Sequence, residues 1–279
     1  MSFERLTSTW DVVPVEEALE QHGPSATLGT PHPGFTRGRQ VRVHRGNLSV
    51  LGDLAPDPGS AALPYDVVVD GDLVVEGDLD WWDEAGSGLF LVTGGLRARN
   101  LLLSGRPRFV VAGDLAVSGR VQGHHGDDAG RLVVGGRTRA QLVVNTGGFT
   151  MVFGSRPEAV VAADPGRTSC PVDVPDDELA ALVLPALLDG REVDEHRISS
   201  ALRAGKPVLR PGVRPGGVLP GRRRAGGAAL VGEAALVDEA ARLDEGPLRD
   251  EGAPLDGGTP AGRGAGVAGV AGREPLALL

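Results

Sequence analysis

A chain of 279 residues, 41% of them hydrophobic, can bury a sizeable core, and its formal net charge of −9 argues against a nucleic-acid scaffold, which needs clustered basic side chains; Lys206 is the only lysine, the other basic residues being arginine. The single cysteine, Cys170, excludes an internal disulfide and a thiolate-rich metal site. An aromatic content of 4% together with 43 glycines, against roughly 7% Gly in an average protein, points to a narrow aliphatic interior with many repeated turns. The Met1–Arg5 start lacks a basic, then apolar, leader and no apolar run nears the roughly 20 residues of a membrane span, so a soluble cytoplasmic protein is expected.

Residues 1–37 carry no strand repeat. Pro14 to Gln21 predicts a short helix with proline in its first turn and Gly23 at its end, and the whole stretch is expected to be a lead-in or cap. From Val41 a repeat sets in. Asp66 to Leu79 reads Asp-Val-Val-Val-Asp-Gly-Asp-Leu-Val-Val-Glu-Gly-Asp-Leu, with Gly-Asp-Leu corners at Gly71 and, six residues on, at Gly77. The same step separates Gly46 from Gly52 and Gly113 from Gly119. β-Branched residues between corners predict short strands; the glycines predict a crowded or positive-φ backbone, and the Asp beside each most simply satisfies turn amides. Corners at 46, 71, 94–95, 113 and 135–136 recur at the length of one solenoid coil.

The expected fold is therefore all-β: a parallel β-helix over residues 38–165 with irregular coils of about 18–25 residues, the Val and Leu of each hexad inside, and a bulkier last strand at Phe149–Gly154. Residues 55–60, 81–86 and 123–128 fall at one phase of the repeat and are expected as insertions on one side of the stack. Residues 166–209 are expected to form a small helical cap over the end of the stack. Asp176 to Leu187 predicts an amphipathic helix kinked at Pro185, and Asp194 to Ala204 a second with Asp194 as N-cap and Gly205 as terminator. From Arg210 to Leu279 the Gly-, Pro-, Ala- and Arg-rich composition predicts a mostly disordered tail, interrupted by a helix-like run from Ala228 to Leu243.

Two clusters are candidate binding residues. His124, His125, Asp127 and Asp128 are groups that can hold a divalent metal or share a proton, but Gly123, Gly126 and Gly130 around them equally describe a solvated turn. Trp81 and Trp82 are either an exposed recognition anchor on a loop or rings folded down over the stack. Gly205-Lys206 is followed by Pro207, so it is no phosphate loop, and no catalytic residue, metal ligand set, cofactor or nucleotide is assigned. The Val-x-x-Gly-Asp-Leu-x-Val-x-Gly-Asp-Leu phrasing, over Val41 to Gly154, resembles the bactofilins, the polymer-forming cytoskeletal β-solenoid proteins of bacteria. The resemblance implies a right-handed three-sided β-helix that stacks end to end into nucleotide-free filaments; unequal coils, inserted loops and the following helices depart from it. The expectation is a non-enzymatic scaffold or protein-interaction protein, with a protein partner or self-association. The alternatives are a sugar- or acyl-acting solenoid enzyme centred on the His124–Asp128 loop, and an immunity-type binding partner that engages its target through Trp81 and Trp82.

Overall fold

The computed structural model describes residues 1–26, 28, 39–57, 63–84, 88–124 and 130–215. They build a β-solenoid of about five coils. Ahead of it lie α1 (Phe3–Leu6), β1 (Asp11–Val13) and α2 (Val15–Ala26). The first coil holds β2 (Gln40–Arg45) and β3 (Leu48–Val50), with Leu54 bridged to Leu79 on its third side. The second holds β4 (Tyr65–Asp70), β5 (Leu73–Val75) and β6 (Asp78–Asp83); the third β7 (Leu89–Val92), β8 (Leu96–Ala98) and β9 (Asn100–Gly105); the fourth β10 (Arg108–Val111), β11 (Leu115–Val117) and β12 (Arg120–His124). In the fifth, β13 (Arg131–Val134) is followed by β14 (Thr138–Asn145), which bends through two faces: its start pairs with β11 and its end with β12. β15 (Thr150–Phe153) and β16 (Glu158–Ala163) begin a sixth.

Three faces result. Strands β2, β4, β7, β10, β13 and β15 stack in parallel as the first, β3, β5, β8, β11 and the start of β14 as the second, and β6, β9, β12, the end of β14 and β16 as the third. Equivalent positions are 25, then 22–23, 19–20, 22–23 and 18–19 residues apart in successive coils. The larger differences fall where the third strand of one coil leads to the first of the next, which is where the insertions were expected. Of the other two corners, the first keeps a constant step, Val69 to Leu73 matching Val92 to Leu96 and Val111 to Leu115, whereas across the second the step is six residues (Leu73 to Leu79, Leu115 to Val121) or five (Leu96 to Leu101, Thr138 to Val143); both corners are tied to the coil before. At the first, Asn47 Oδ1 accepts from the Asp72 amide (2.9 Å), Asp72 Oδ1 from Gly95 (2.7 Å) and Asp114 Oδ1 from Arg137 (2.8 Å). At the second, Asp53 Oδ1 accepts from the Asp78 amide (2.8 Å) and Asn100 Oδ1 from Arg120 (2.9 Å). Glycine is needed in the first corner because a Cβ at Gly94 would lie 2.7 Å from the Gly71 carbonyl carbon of the preceding coil.

Inside, aliphatic and aromatic side chains stack in columns. Along the first face Val67, Phe90, Phe109, Leu132 and Met151 occupy one register position, all essentially inaccessible, and burial of each contributes about 1.5–3 kcal/mol. Both ends are closed by the chain itself. Phe3 enters the first end with its ring edge-on to Trp81 (4.8 Å) and Phe90 (5.5 Å), its amide bonded to the Ala55 carbonyl, while β1 pairs antiparallel with β2. At the other end Thr168 bridges to Met151 and Val174 to Ala162, and Cys170 packs in the interior.

Several expectations change. The N-terminal helix does not stop at Gly23 but continues through Pro24 to Ala26. Phe149–Gly154 is not the last strand, since β16 follows it. The expected helix from Asp176 is broken rather than kinked. α3 (Leu179–Leu182) ends when Val183 turns extended, and Leu184, which precedes Pro185, takes ψ 137°, the conformation that proline imposes on its predecessor. α4 (Glu195–Arg203) forms as expected, with the Asp194 side chain accepting from the Arg197 amide and Gly205 at φ +65°. The helical segment does not cap the end of the stack; it covers the outside of the third face, where Leu142, Val144, Val160 and Ala162 meet Leu179, Leu182, Ile198 and Leu202. Residues 210–215, expected as the start of the tail, are held: the Arg210 amide donates to the Leu182 carbonyl and its Nε to that of Val183. The remaining tail, 216–279, lies outside the described residues.

Candidate binding surface

The expected site residues do not converge. Trp81 and Trp82 are not in a loop but in β6, and adjacent strand residues point to opposite sides. Trp81 is therefore interior, 2% exposed and packed on Phe3, Phe90 and Phe109, so its ring is not available to a partner; Trp82 faces outward from the third face, half-buried. His124 ends β12, half-buried, with Nδ1 against the Thr146 hydroxyl. His125, Asp127 and Asp128 lie outside the described residues. Among the described residues no group of three or more His, Cys, Asp or Glu is placed to hold a metal ion, and no helix is long and apolar enough to cross a membrane.

What distinguishes the three faces is how their outer sides are treated. On the first, Val68, Leu91, Val110 and Val133 form an outward apolar column, which Val13, Val15 and Ala18 of β1 and α2 cover. On the third, the segment containing α3 and α4 covers the last strands and reaches back as far as the second coil, where Arg203 Nε meets Asp78 Oδ2 at 3.0 Å. Among the described residues no element packs on the outer side of the second face. Its outward column is Ser49, Val74, Arg97, Ala116 and Arg139. Beside it runs a shallow depression of about 500 Å³ floored by Val74, Ala98, Ala116 and Val117 and edged by Glu76, Arg97, Arg99, Ser118 and Arg139.

The strands of the second face are short, and their middle residues are the ones left accessible. Leu96-Arg97-Ala98 buries its ends and exposes its middle. Its guanidiniums differ in commitment. Arg99 is held at the second corner, Nε to Asp78 Oδ1 at 2.8 Å and Nη2 to Asp53 Oδ1 at 2.7 Å. Hydrogen bonding to Asp78, against some desolvation, holds Arg99 above its ordinary value, so it stays charged. Arg139 pairs with Glu158 at 2.8 Å on the rim. Arg97 is exposed and makes no ion pair or hydrogen bond among the described residues. The depression thus presents a small apolar floor whose rim carries Glu76, two ion-paired arginines and, in Arg97, one guanidinium with no ion pair among the described residues. That composition suits docking of a largely apolar surface with a carboxylate opposite Arg97.

The signal for this surface was only partly in the sequence. Strands of the first face such as Val67-Val68-Val69 and Leu89-Phe90-Leu91-Val92 read as continuous apolar runs, which mark strands buried on both sides. Leu48-Ser49-Val50 and Leu96-Arg97-Ala98 of the second face alternate, but Leu73-Val74-Val75 and Leu115-Ala116-Val117 of the same face are as apolar throughout as the covered strands. Comparison of the chain with models of protein families, with curated proteins and with solved structures finds no match among any of them.

Proposed function

We propose that this chain is a non-catalytic β-solenoid scaffold that binds a protein partner through the outer side of its second face. The observation that carries the reading is the unequal treatment of three similar faces: the first and third have their outer sides packed by segments from the chain's own ends, and the second presents Val74, Arg97, Ala116 and Arg139. The end-to-end polymerisation that the bactofilin resemblance implies is the less favoured form of the scaffold, because Phe3 and β1 occupy one end and Thr168 to Val174 the other. A lateral interaction leaves both closures in place. The test is a photo-crosslinking amino acid at position 116 in cells that express the chain, with position 191, exposed on the helical cover, as control. A discrete intermolecular adduct at 116, lost with Arg97→Glu/Arg139→Glu, is expected; adducts no more frequent at 116 than at 191 would refute the reading.

A further inference from the structure

We infer that the free edge of β3, at the N-terminal end of the second face, takes one extended, uncharged strand of a protein partner; this contact is additional to docking on the outer side of that face and does not depend on it. Each face has two ends, and among the described residues all but one are closed by a further piece of the chain. At the N-terminal end β1 pairs with β2 on the first face, and on the third Ser2 bridges to Ala55, the Phe3 amide donating to the Ala55 carbonyl and the Ala55 amide to that of Met1. At the far end the Ser169 amide donates to the Met151 carbonyl on the first face and the Asp173 amide to that of Val161 on the third, while Glu158 stands beside Arg139 on the second. β3 pairs with β5 alone.

What β3 leaves open is main chain. In a parallel ladder alternate residues turn both N–H and C=O to the same neighbour. Gly46 and Leu48 donate to the Asp70 and Asp72 carbonyls, and Val50 and Gly52 accept from the Glu76 and Gly77 amides, so Ser49 and Leu51 turn their groups away from the stack, where they have no partner among the described residues. Natural edges are blunted by charge or proline. The far end of this face is blunted so: Pro157 has no N–H, and Arg139 pairs with Glu158 and Arg156 with Asp173, both at 2.8 Å. Asn47 to Leu51 has neither charge nor proline, and Leu51 is 76% exposed. The shape of the end selects the occupant. β1 and Met1–Phe3 stand one strand beyond β3 on the neighbouring faces, so a second copy cannot bring its own end flat against β3, and the space left is one strand wide. A strand seated there lies beside Leu48 and Val50 on its inner side and Ser49 and Leu51 on its outer side, where apolar and small uncharged side chains fit and a charge facing Leu48 would be desolvated.

The test uses the purified full chain and a capped hexapeptide of alternating valine and threonine. In the free chain the Ser49 and Leu51 amides should exchange faster than those of Gly46 and Leu48, read residue by residue by NMR, and the peptide should slow the first two by about ten-fold or more. Ser49→Pro, which removes an outward N–H and no bond to β5, and Leu51→Lys should each abolish that protection, and a hexapeptide of alternating glutamate and threonine should give none. Arg97→Glu/Arg139→Glu should leave it intact, and its loss there would overturn a contact separate from the face. The inference also fails if the Ser49 and Leu51 amides are as slow as their neighbours in the free chain, if the peptide protects them no more than the exposed Arg191, or if protection persists in both edge variants. Slow exchange that rises with protein concentration would assign the edge to a second copy and overturn it too.

Discussion

Asp78 joins the second coil to the C-terminal cover, and removing it should show how much that junction contributes. Its carboxylate, 6% exposed, accepts from Asn100 Nδ2 at 2.7 Å, Arg99 Nε at 2.8 Å and Arg203 Nε at 3.0 Å. Loss of one member of a buried ion pair costs about 3–5 kcal/mol. Arg99 keeps Asp53, and Arg203, with over half its side chain exposed, rehydrates, so Asp78→Ala should cost near the lower figure, about 3 kcal/mol. Arg203→Ala alone removes one largely solvated arm and should cost about 0.5–1 kcal/mol. In the double variant Arg203→Ala should add nothing, because its acceptor is already gone. Urea unfolding followed by circular dichroism measures all three, and exchange of residues 195–203 should rise in both single variants. Burial pushes the Asp78 carboxyl up, but hydrogen bonds from Arg99, Arg203 and Asn100 outweigh it and hold the group below its ordinary 3.8. The unfolded chain therefore takes up this proton first, so the contribution is complete above 3.8 and is lost as pH falls through the lower folded value; Asp78→Asn should abolish that slope. A cost below about 1 kcal/mol for Asp78→Ala, or additive effects in the double variant, would refute the argument.

Phe3→Ala should cost about 3–5 kcal/mol in the same assay, because it empties the end of the interior, with Phe3→Leu far milder; equal effects of the two would mean that Phe3 does not fill the end. Gly94→Ala drives a Cβ against the backbone of the preceding coil and should cost about 3 kcal/mol, whereas Gly46→Ala, in open space at φ +92°, should cost only the left-handed strain of about 1–2 kcal/mol; the reverse order would sink the crowding argument. His22 is held below its ordinary 6.5 by burial, with Asp70 opposing and Arg45 adding to the shift. The unfolded chain protonates first, so stability should fall as pH drops below 6.5 until it passes the lower folded value, and His22→Gln should flatten that dependence; an unchanged slope would contradict it.

The stack itself was legible because backbone proximity writes itself into sequence. Where coils meet at Gly71 and Gly94 only hydrogen fits, and where the amides of Asp72 and Gly95 need an acceptor, Asn47 and Asp72 stand one coil earlier. The placement of the covers was harder to read. Leu179 and Ile198 carry a helical period, which says that they are buried but not against what; the partner information lay in Leu142 and Val144, outward residues of a strand whose alternation fails. The tryptophan pair was ambiguous for a related reason. Trp81-Trp82 precedes Asp83-Glu84-Ala85-Gly86, which suits an exposed loop as well as rings folded onto the stack, and what decides Trp81 lies elsewhere in the chain, where Phe3 and Phe90 make an aromatic layer into which one indole fits.

The first-corner row of side-chain acceptors has one missing rung. Asn47 and Asp72 each hold the amide of the coil after them, but Gly95, next in the row, has no side chain to offer Asp114; the row resumes only with Asp114 itself. At the second corner the same junction is pinned, Asn100 Oδ1 accepting from the Arg120 amide. Between the third and fourth coils the first corner is therefore held by the backbone alone, through Gly113 N to the Gly94 carbonyl (2.9 Å) and Leu96 N to the Asp114 carbonyl (2.8 Å), and the side-chain pin of that junction sits at the second corner.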